Sequence, residues 1–355
     1  MERATTDLLR HQLEDRRARL SATLEAEGPD ADLVRLLRQV DSALGRLETD
    51  DYARCLVCQG HVAEQDLRLN PLIEYCLCGL TPRQQRALET DLELARRIQA
   101  ALLPDPDLAA AGWEASYRYE PAGVLSGDYC DLWMRPDEAS SLFFAVGDVS
   151  GKGLAASLLM AHLQSAFRSL LATGVPLAEL VERVNRQLLE ASLPTHYATL
   201  ACGRATADGR VEIVNAGHLP PLVVRGAEVE RVAATGFPLG LFSERPYQVT
   251  SLQFEPGHSL VIYTDGLTEA RLPNGEEYGE QRVAHLLAQP SKSSAPRHVV
   301  QAVRGDLAGF LGDSARTDDL TVLVLRRGGS RVGQGRVASR VTEANARTVA
   351  APGRA

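Results

Sequence analysis

In four places of this 355-residue sequence, aspartates stand where an apolar run meets a turn. "FFAVGDVSGKGLAASLLMA" (143–161) sets Asp148 and Lys152 in a glycine-rich turn between a strand pattern and a helix pattern. "VLSGDYCDLW" supplies Asp128 and Asp131. "SLVIYTDGLTEA" supplies Asp265 directly after an apolar run, with Glu269 four residues on, and "ARTDDLTVLVL" supplies Asp318 and Asp319 directly before one. One such aspartate is ordinarily a cap or a turn residue. Four converging on buried strand ends need a cation, because clustered carboxylates repel unless a metal compensates them. Oxygen ligands with no histidine among them select magnesium or manganese over zinc or copper. Two such ions about 3.5–4 Å apart suit in-line displacement at phosphorus: a shared water becomes hydroxide and both ions stabilise phosphate charge. Phosphomonoester hydrolysis is the chemistry this predicts. A nuclease or nucleotidyl site would use the same ions, but the net charge of -8 and the lack of a basic groove pattern weigh against it.

The turn at 147–153 is no phosphate cradle. A P-loop needs a glycine, four residues, then Gly-Lys-Ser/Thr, whereas Gly147 stands only four before Gly151 and Gly153 follows Lys152. No dinucleotide fingerprint follows the strand either. Lys152 is one of only two lysines beside Lys292, which makes it less routine, although a lysine at a helix start is usually solvated.

The elements that must position these residues follow from periodicity. Strand patterns fall at 115–120, 142–147, 197–206, 210–215, 221–225, 247–254, 259–264 and 319–326, and helix patterns at 153–173, 176–192, 279–288 and 295–311. Antiparallel-type strands with helices in consecutive pairs predict an α+β layering. Upstream, "EGPDAD" (27–32) turns between two helices, the second amphipathic through Leu33, Leu37, Val40, Leu44 and Leu47. A further helix is expected over 81–103, with Pro82 in its first turn and a seam of Leu88, Leu92, Ala95, Ile98 and Leu102. That seam could dimerise as a coiled coil or pack on the next domain. The tail from 328, poor in large apolar residues and rich in Arg, is expected to be disordered.

Hydrophobic content of 45% supports a real core, and no apolar run of about 18 residues indicates a membrane span. The charged N-terminus lacks a signal-peptide core, and four of the six cysteines fall between 55 and 78, suiting a metal site in a reducing compartment. A cytoplasmic protein is expected, with no direct nucleic-acid or membrane partner.

The ordered segments "ARRIQAALLP", "PAGVLSGDYCDLW", "FFAVGDVSGKGLAASLLMA", "YATLACGRA", "VNAGHLPPLVV", "GFPLGLF", "LVIYTDGLTEA" and "TDDLTVLVL" resemble the SpoIIE/RsbU-type serine phosphatases of the metal-dependent protein phosphatase superfamily, over about residues 92–327. The resemblance implies a four-layer α-β-β-α sandwich with a binuclear manganese or magnesium site, where metal-bound hydroxide attacks phosphoserine or phosphothreonine on a protein, often an anti-sigma-factor antagonist. It implies that Asp148 bridges both metals, that the Val149 carbonyl binds the second, and that Asp265 and Asp318 complete the first. Asp128 would act on the second metal through water, and Glu269 matches a third, weaker metal position in some relatives. Asp131 and Asp319 would be supporting or merely structural. Ser150 stands where eukaryotic relatives carry a histidine, which leaves the proton donor unassigned. His218 reads as a turn-holding residue, and Cys130 and Cys202 as buried thiols.

Cys55-x2-Cys58 and Cys76-x-Cys78 form a plausible four-thiolate zinc cluster. With the preceding hairpin, the region resembles the DksA/TraR zinc-finger family over about residues 1–88. It departs in its second knuckle, which is Cys-x-Cys with Gly79 where the last ligand would fall. A structural zinc is expected, and the resemblance allows a contact with RNA polymerase. The expected organisation is therefore hairpin and zinc finger over 1–80, a linker or switch helix over 81–106, the phosphatase domain over 107–327 and the tail over 328–355. The competing class is a non-catalytic, transcription-linked adaptor, which would expect at least one of Asp128, Asp148, Asp265 and Asp318 to be lost; none is.

Overall fold

Apolar residues at helical spacing open the chain as two antiparallel helices, α1 (Arg3–Glu27) and α2 (Ala31–Leu47). Leu9, Leu13 and Leu20 of α1 bury against Leu33, Leu36 and Val40 of α2, and this small core closes over Tyr52, Cys55 and Val62 of the following segment and Leu67 of the short helix α3 (Glu64–Leu69). The structure, a computed structural model, describes residues 3–27, 31–49, 52–55, 60–73, 76, 82–134, 141–192, 196–243, 245–289 and 295–328. No helix among them is long and apolar enough to cross a membrane.

The helix expected over 81–103 is α4 (Pro82–Leu102). Its predicted seam is only half-buried and Ile98 is exposed; the buried position is Gln99, because α4 is fastened to the sandwich by a polar side chain. Gln99 donates from Nε2 to the Ser126 carbonyl at 2.8 Å and accepts from the Ser126 N–H at 3.1 Å.

Two antiparallel sheets follow. One has the order β1-β2-β11-β10-β7-β8, built from β1 (Asp107–Ala110), β2 (Trp113–Glu120), β7 (Leu222–Arg225), β8 (Glu228–Arg231), β10 (Ser259–Tyr263) and β11 (Leu320–Arg327). The other has the order β3-β4-β5-β6-β9, from β3 (Asp128–Trp133), β4 (Ser141–Val149), β5 (Ala198–Thr206), β6 (Arg210–Ala216) and β9 (Thr250–Gln253). Helices α5 (Gly153–Leu171) and α6 (Leu177–Ala191) cover the second sheet, and α8 (Glu280–Ala288) and α9 (Pro296–Leu311) cover the first.

The layering is written in the strands. Along β4, Phe143 and Ala145 enter the core beneath α5 and α6, while Phe144 and Val146 enter the core between the sheets. Along β11, Val322 packs toward α9 and Leu323 toward the other sheet. Successive side chains point to opposite faces, so a strand buried on both faces reads as an unbroken apolar run. The α-β-β-α arrangement expected from the resemblance is what these three cores describe. Sequence periodicity missed β1, β3 and β8, and also the short helix α7 (Asp265–Thr268).

The zinc expectation finds no support. Cys58 and Cys78 lie outside the described residues, and Cys76 is disulfide-bonded, which removes a thiolate that a four-cysteine site requires. Cys55 is buried, and its Sγ accepts the Cys76 N–H at 3.3 Å. Residues 329–355, the bulk of the tail, also lie outside the described residues.

Candidate functional site

The strand ends bring the carboxylates to one edge of the sandwich. In the β3–β4 pair Asp128 stands directly opposite Asp148. In the β10–β11 pair the strands run past each other so that Asp265, just beyond β10, and Asp318, just before β11, share an end; the Thr264 N–H donates to the Thr321 carbonyl there at 3.0 Å. Gly266 is required at this crossing. A Cβ on it would run into the backbone carbonyl of Asp319, so α7 can turn this closely against the start of β11 only with glycine. Gly151, at φ 97°, provides the left-handed turn that leads from β4 into α5.

Asp148, Asp265 and Asp318 line one cavity of about 610 Å³ together with Val149, Lys152 and Glu269. Asp128 is not on its wall. It is 1% exposed, and its Oδ2 accepts hydroxyl hydrogen bonds from Thr264 at 3.0 Å and Thr321 at 2.5 Å, so it ties the two sheets together beneath the cavity. Asp319 reaches the cavity but is engaged elsewhere, accepting the N–H groups of Ala122 at 2.7 Å and Gly127 at 3.0 Å. Asp131 plays no part: it is fully buried and paired with Arg168 of α5 at 2.5 Å. Ser150 belongs to the turn, its Oγ accepting the Tyr197 N–H at 2.9 Å. His218 holds a turn as expected, with Nδ1 2.9 Å from the Thr199 hydroxyl and its N–H donating to Asn215 Oδ1 at 2.8 Å; burial pushes the imidazole down to about 4.

Lys152 corrects its reading as a solvated helix-start residue. Its Nζ lies 3.0 Å from Asp318 Oδ2 and donates to the Thr317 carbonyl at 3.0 Å. The signal available in the sequence was its rarity in a chain that otherwise uses arginine. Thr264 and Thr321, which hold Asp128, went unnoticed, although each stands within two residues of an aspartate already singled out.

The electrostatics are those of crowded carboxylates. Burial, then Asp265 and Asp128, hold the Asp148 carboxyl well above the usual carboxylate range. Burial, then Asp318 and Glu269, push Asp265 up to about 7, while Lys152 and Arg19 pull it back. Burial and Asp319 raise Asp128 against the Thr321 hydrogen bond. No group of three or more His, Cys, Asp or Glu side chains among the described residues is arranged closely enough to hold a metal ion. The cavity nonetheless offers an all-oxygen donor set in which the Asp148 and Asp265 carboxyls sit above the usual carboxylate range, a combination that a hard divalent cation relieves. The donor chemistry fits manganese or magnesium.

The far wall of the cavity belongs to α1, where Arg16 and Arg19 face the acidic strand ends. Arg19 Nη2 lies 2.8 Å from Glu269 Oε1 and 2.7 Å from Asp15 Oδ2. No sequence pattern announced this contact, which joins residues 250 positions apart.

Comparison with known proteins agrees with this architecture. Residues 138–328 match the SpoIIE family, described as Stage II sporulation protein E. Protein IcfG of Synechocystis is 29% identical over 268 residues, covering 67% of this chain and 41% of IcfG. The phosphoserine phosphatase RsbU of Bacillus subtilis is 26% identical over 246 residues, covering 68% of this chain and 72% of RsbU. The chain thus spans less than half the length of IcfG. The SiaA-PP2C domain of Pseudomonas aeruginosa shares the fold, with a TM-score of 0.59 at 21% identity over 68% of this chain and 98% of that domain. With a family match over more than half its length, the chain belongs to the SpoIIE family.

Proposed function

We propose that the chain is a metal-dependent protein serine/threonine phosphatase, acting on phosphoserine or phosphothreonine of a regulatory protein of the anti-sigma-factor-antagonist kind. One observation carries this reading: Asp148, Asp265 and Asp318 leave three separate strand ends and face a single cavity at one end of a two-sheet sandwich. In it, residues 107–327 are the catalytic unit and α4 is its link to the hairpin.

Asp148, Asp265, Asp318 and the Val149 carbonyl would hold two manganese or magnesium ions, with Asp128 acting through water from below and Glu269 offering a weaker position at the rim. Ions held there stabilise charge on a phosphoryl group and lower the pKa of water to near neutrality. The chain's own residues prepare that site. Thr264 and Thr321 fix the Asp128 carboxylate between the sheets. Asp319 clamps the loop over Ala122 and Gly127, and through Gly127 supports the turn that follows Asp148, since the Val149 N–H donates to the Gly127 carbonyl at 3.3 Å. Lys152 places a positive charge beside Asp318 and at the cavity wall, where a phosphate dianion would be met. The zinc and RNA polymerase expectations gain no observation from the hairpin and form no part of this reading.

The test is hydrolysis of a generic phosphomonoester by the native chain and by Asp148→Asn, with and without manganese. Manganese-dependent turnover by the native chain, reduced to background by the substitution, is expected. Equal turnover by both proteins, or none from either, would sink the reading.

A further inference from the structure

We propose that α1 is a removable lid on this cleft, which admits small phosphate esters and excludes phosphoproteins until the hairpin lifts; the proposal rests on the phosphatase reading above. Leu8, Gln12, Arg16 and Arg19 of α1 wall the same cavity that Asp148, Asp265 and Asp318 face. The fit is one of charge. Arg16 and Arg19, with Asp15 beside them, meet the acidic strand ends, and Arg19, held by Asp15 at 2.7 Å, closes the contact by pairing with Glu269 at 2.8 Å, four residues beyond Asp265.

Three features make the closure reversible. The Arg19 and Glu269 side chains are 61% and 37% exposed, and such pairs are weak and screened by salt. Gln12, on the cavity wall, has its Oε1 buried without a hydrogen-bond partner among the described residues, an unsatisfied acceptor that solvent would satisfy once it is exposed. The hairpin core and the three sandwich cores share no residue, so the hairpin can lift as a unit with its own core intact.

Closure also discriminates by size. A cavity of about 610 Å³ lies in the range that holds a small molecule. A phosphoserine on a folded protein must bring its own backbone and neighbouring surface to the aspartates, and α1 lies across that approach.

The experiment compares full-length native chain, Arg19→Ala and Arg19→Glu at saturating manganese, on p-nitrophenyl phosphate and on phosphorylated casein. We expect Arg19→Glu to raise kcat/KM on the phosphoprotein about three- to tenfold while the small ester changes less than about twofold, with Arg19→Ala between. Added salt should narrow the gap by releasing the native latch. An unchanged ratio of the two substrates overturns the lid, and a fall on the phosphoprotein would instead make Arg19 a substrate-binding residue. If no protein hydrolyses the small ester with manganese, the phosphatase reading falls and the lid with it.

Discussion

At the scale of single residues, the site is an arrangement of like charges held together by the fold around them. Asp265 shows the cost. Its carboxyl is pushed up to about 7 by burial, Asp318 and Glu269, against an unfolded value of about 3.9. The folded, metal-free chain therefore keeps a proton that the unfolded chain has released. A raised folded-state pKa contributes stability that is complete below the unfolded value and is lost as pH rises through the folded one. The metal-free chain should thus melt at lower temperature at about pH 8 than at about pH 5.5, and manganese should flatten that decline by replacing the proton. Thermal denaturation across this range with and without chelator checks it; a flat metal-free profile would show that the carboxylates are not mutually strained. The aspartates themselves were legible because each adjoins a turn and an apolar run. Their division of labour was not. Asp128 looks like Asp148 in sequence, yet it accepts two threonine hydroxyls beneath the cavity, and Asp131 is consumed by Arg168, 37 residues away.

At the scale of elements, the long strands and helices were readable wherever burial imposes a period. β4 and β11 are buried on both faces and read as apolar runs, and α5, α6, α8 and α9 fall within about two residues of their expected bounds. β3 was missed as a strand because "DYCDLW" carries two aspartates; only the Arg168 pair and the threonine hydroxyls make them compatible with burial. β8, "EVER", has the composition of a solvated turn and is a strand only because β7 pairs with it. α4 was placed correctly, but the residue that fastens it was not among its apolar seam. Gln99→Ala should remove both hydrogen bonds to Ser126, leave two buried backbone groups unsatisfied and destabilise the chain by about 1–3 kcal/mol. Because Ser126 Oγ accepts the Asp128 N–H at 3.1 Å, manganese-dependent turnover should fall as well. Denaturant midpoints together with turnover decide this; stability lost at unchanged turnover would limit Gln99 to packing.

At the scale of the whole molecule, two independent apolar systems are joined through α4 and the Arg19–Glu269 pair. The hairpin buries its leucines within itself, and the sandwich does the same in three layers. Calorimetry should accordingly resolve two unfolding transitions, the smaller belonging to the hairpin. A single transition with matching calorimetric and van't Hoff enthalpies would mean that the seam couples the two more tightly than its exposed ion pair suggests. The strand order adds a constraint on assembly. β11, the last strand among the described residues, inserts between β2 and β10, two strands separated from each other by most of the domain's length. Until it arrives, both neighbours present unpaired backbone, the kind of edge that recruits other chains. Such long-range closure is slow. Asp318 stands just before this strand, whereas α1 lies upstream of every strand of the sandwich. A growing chain therefore carries its lid long before it has anything to cover, and a message cut short before residue 318 yields an aggregation-prone fragment, not a weakened enzyme.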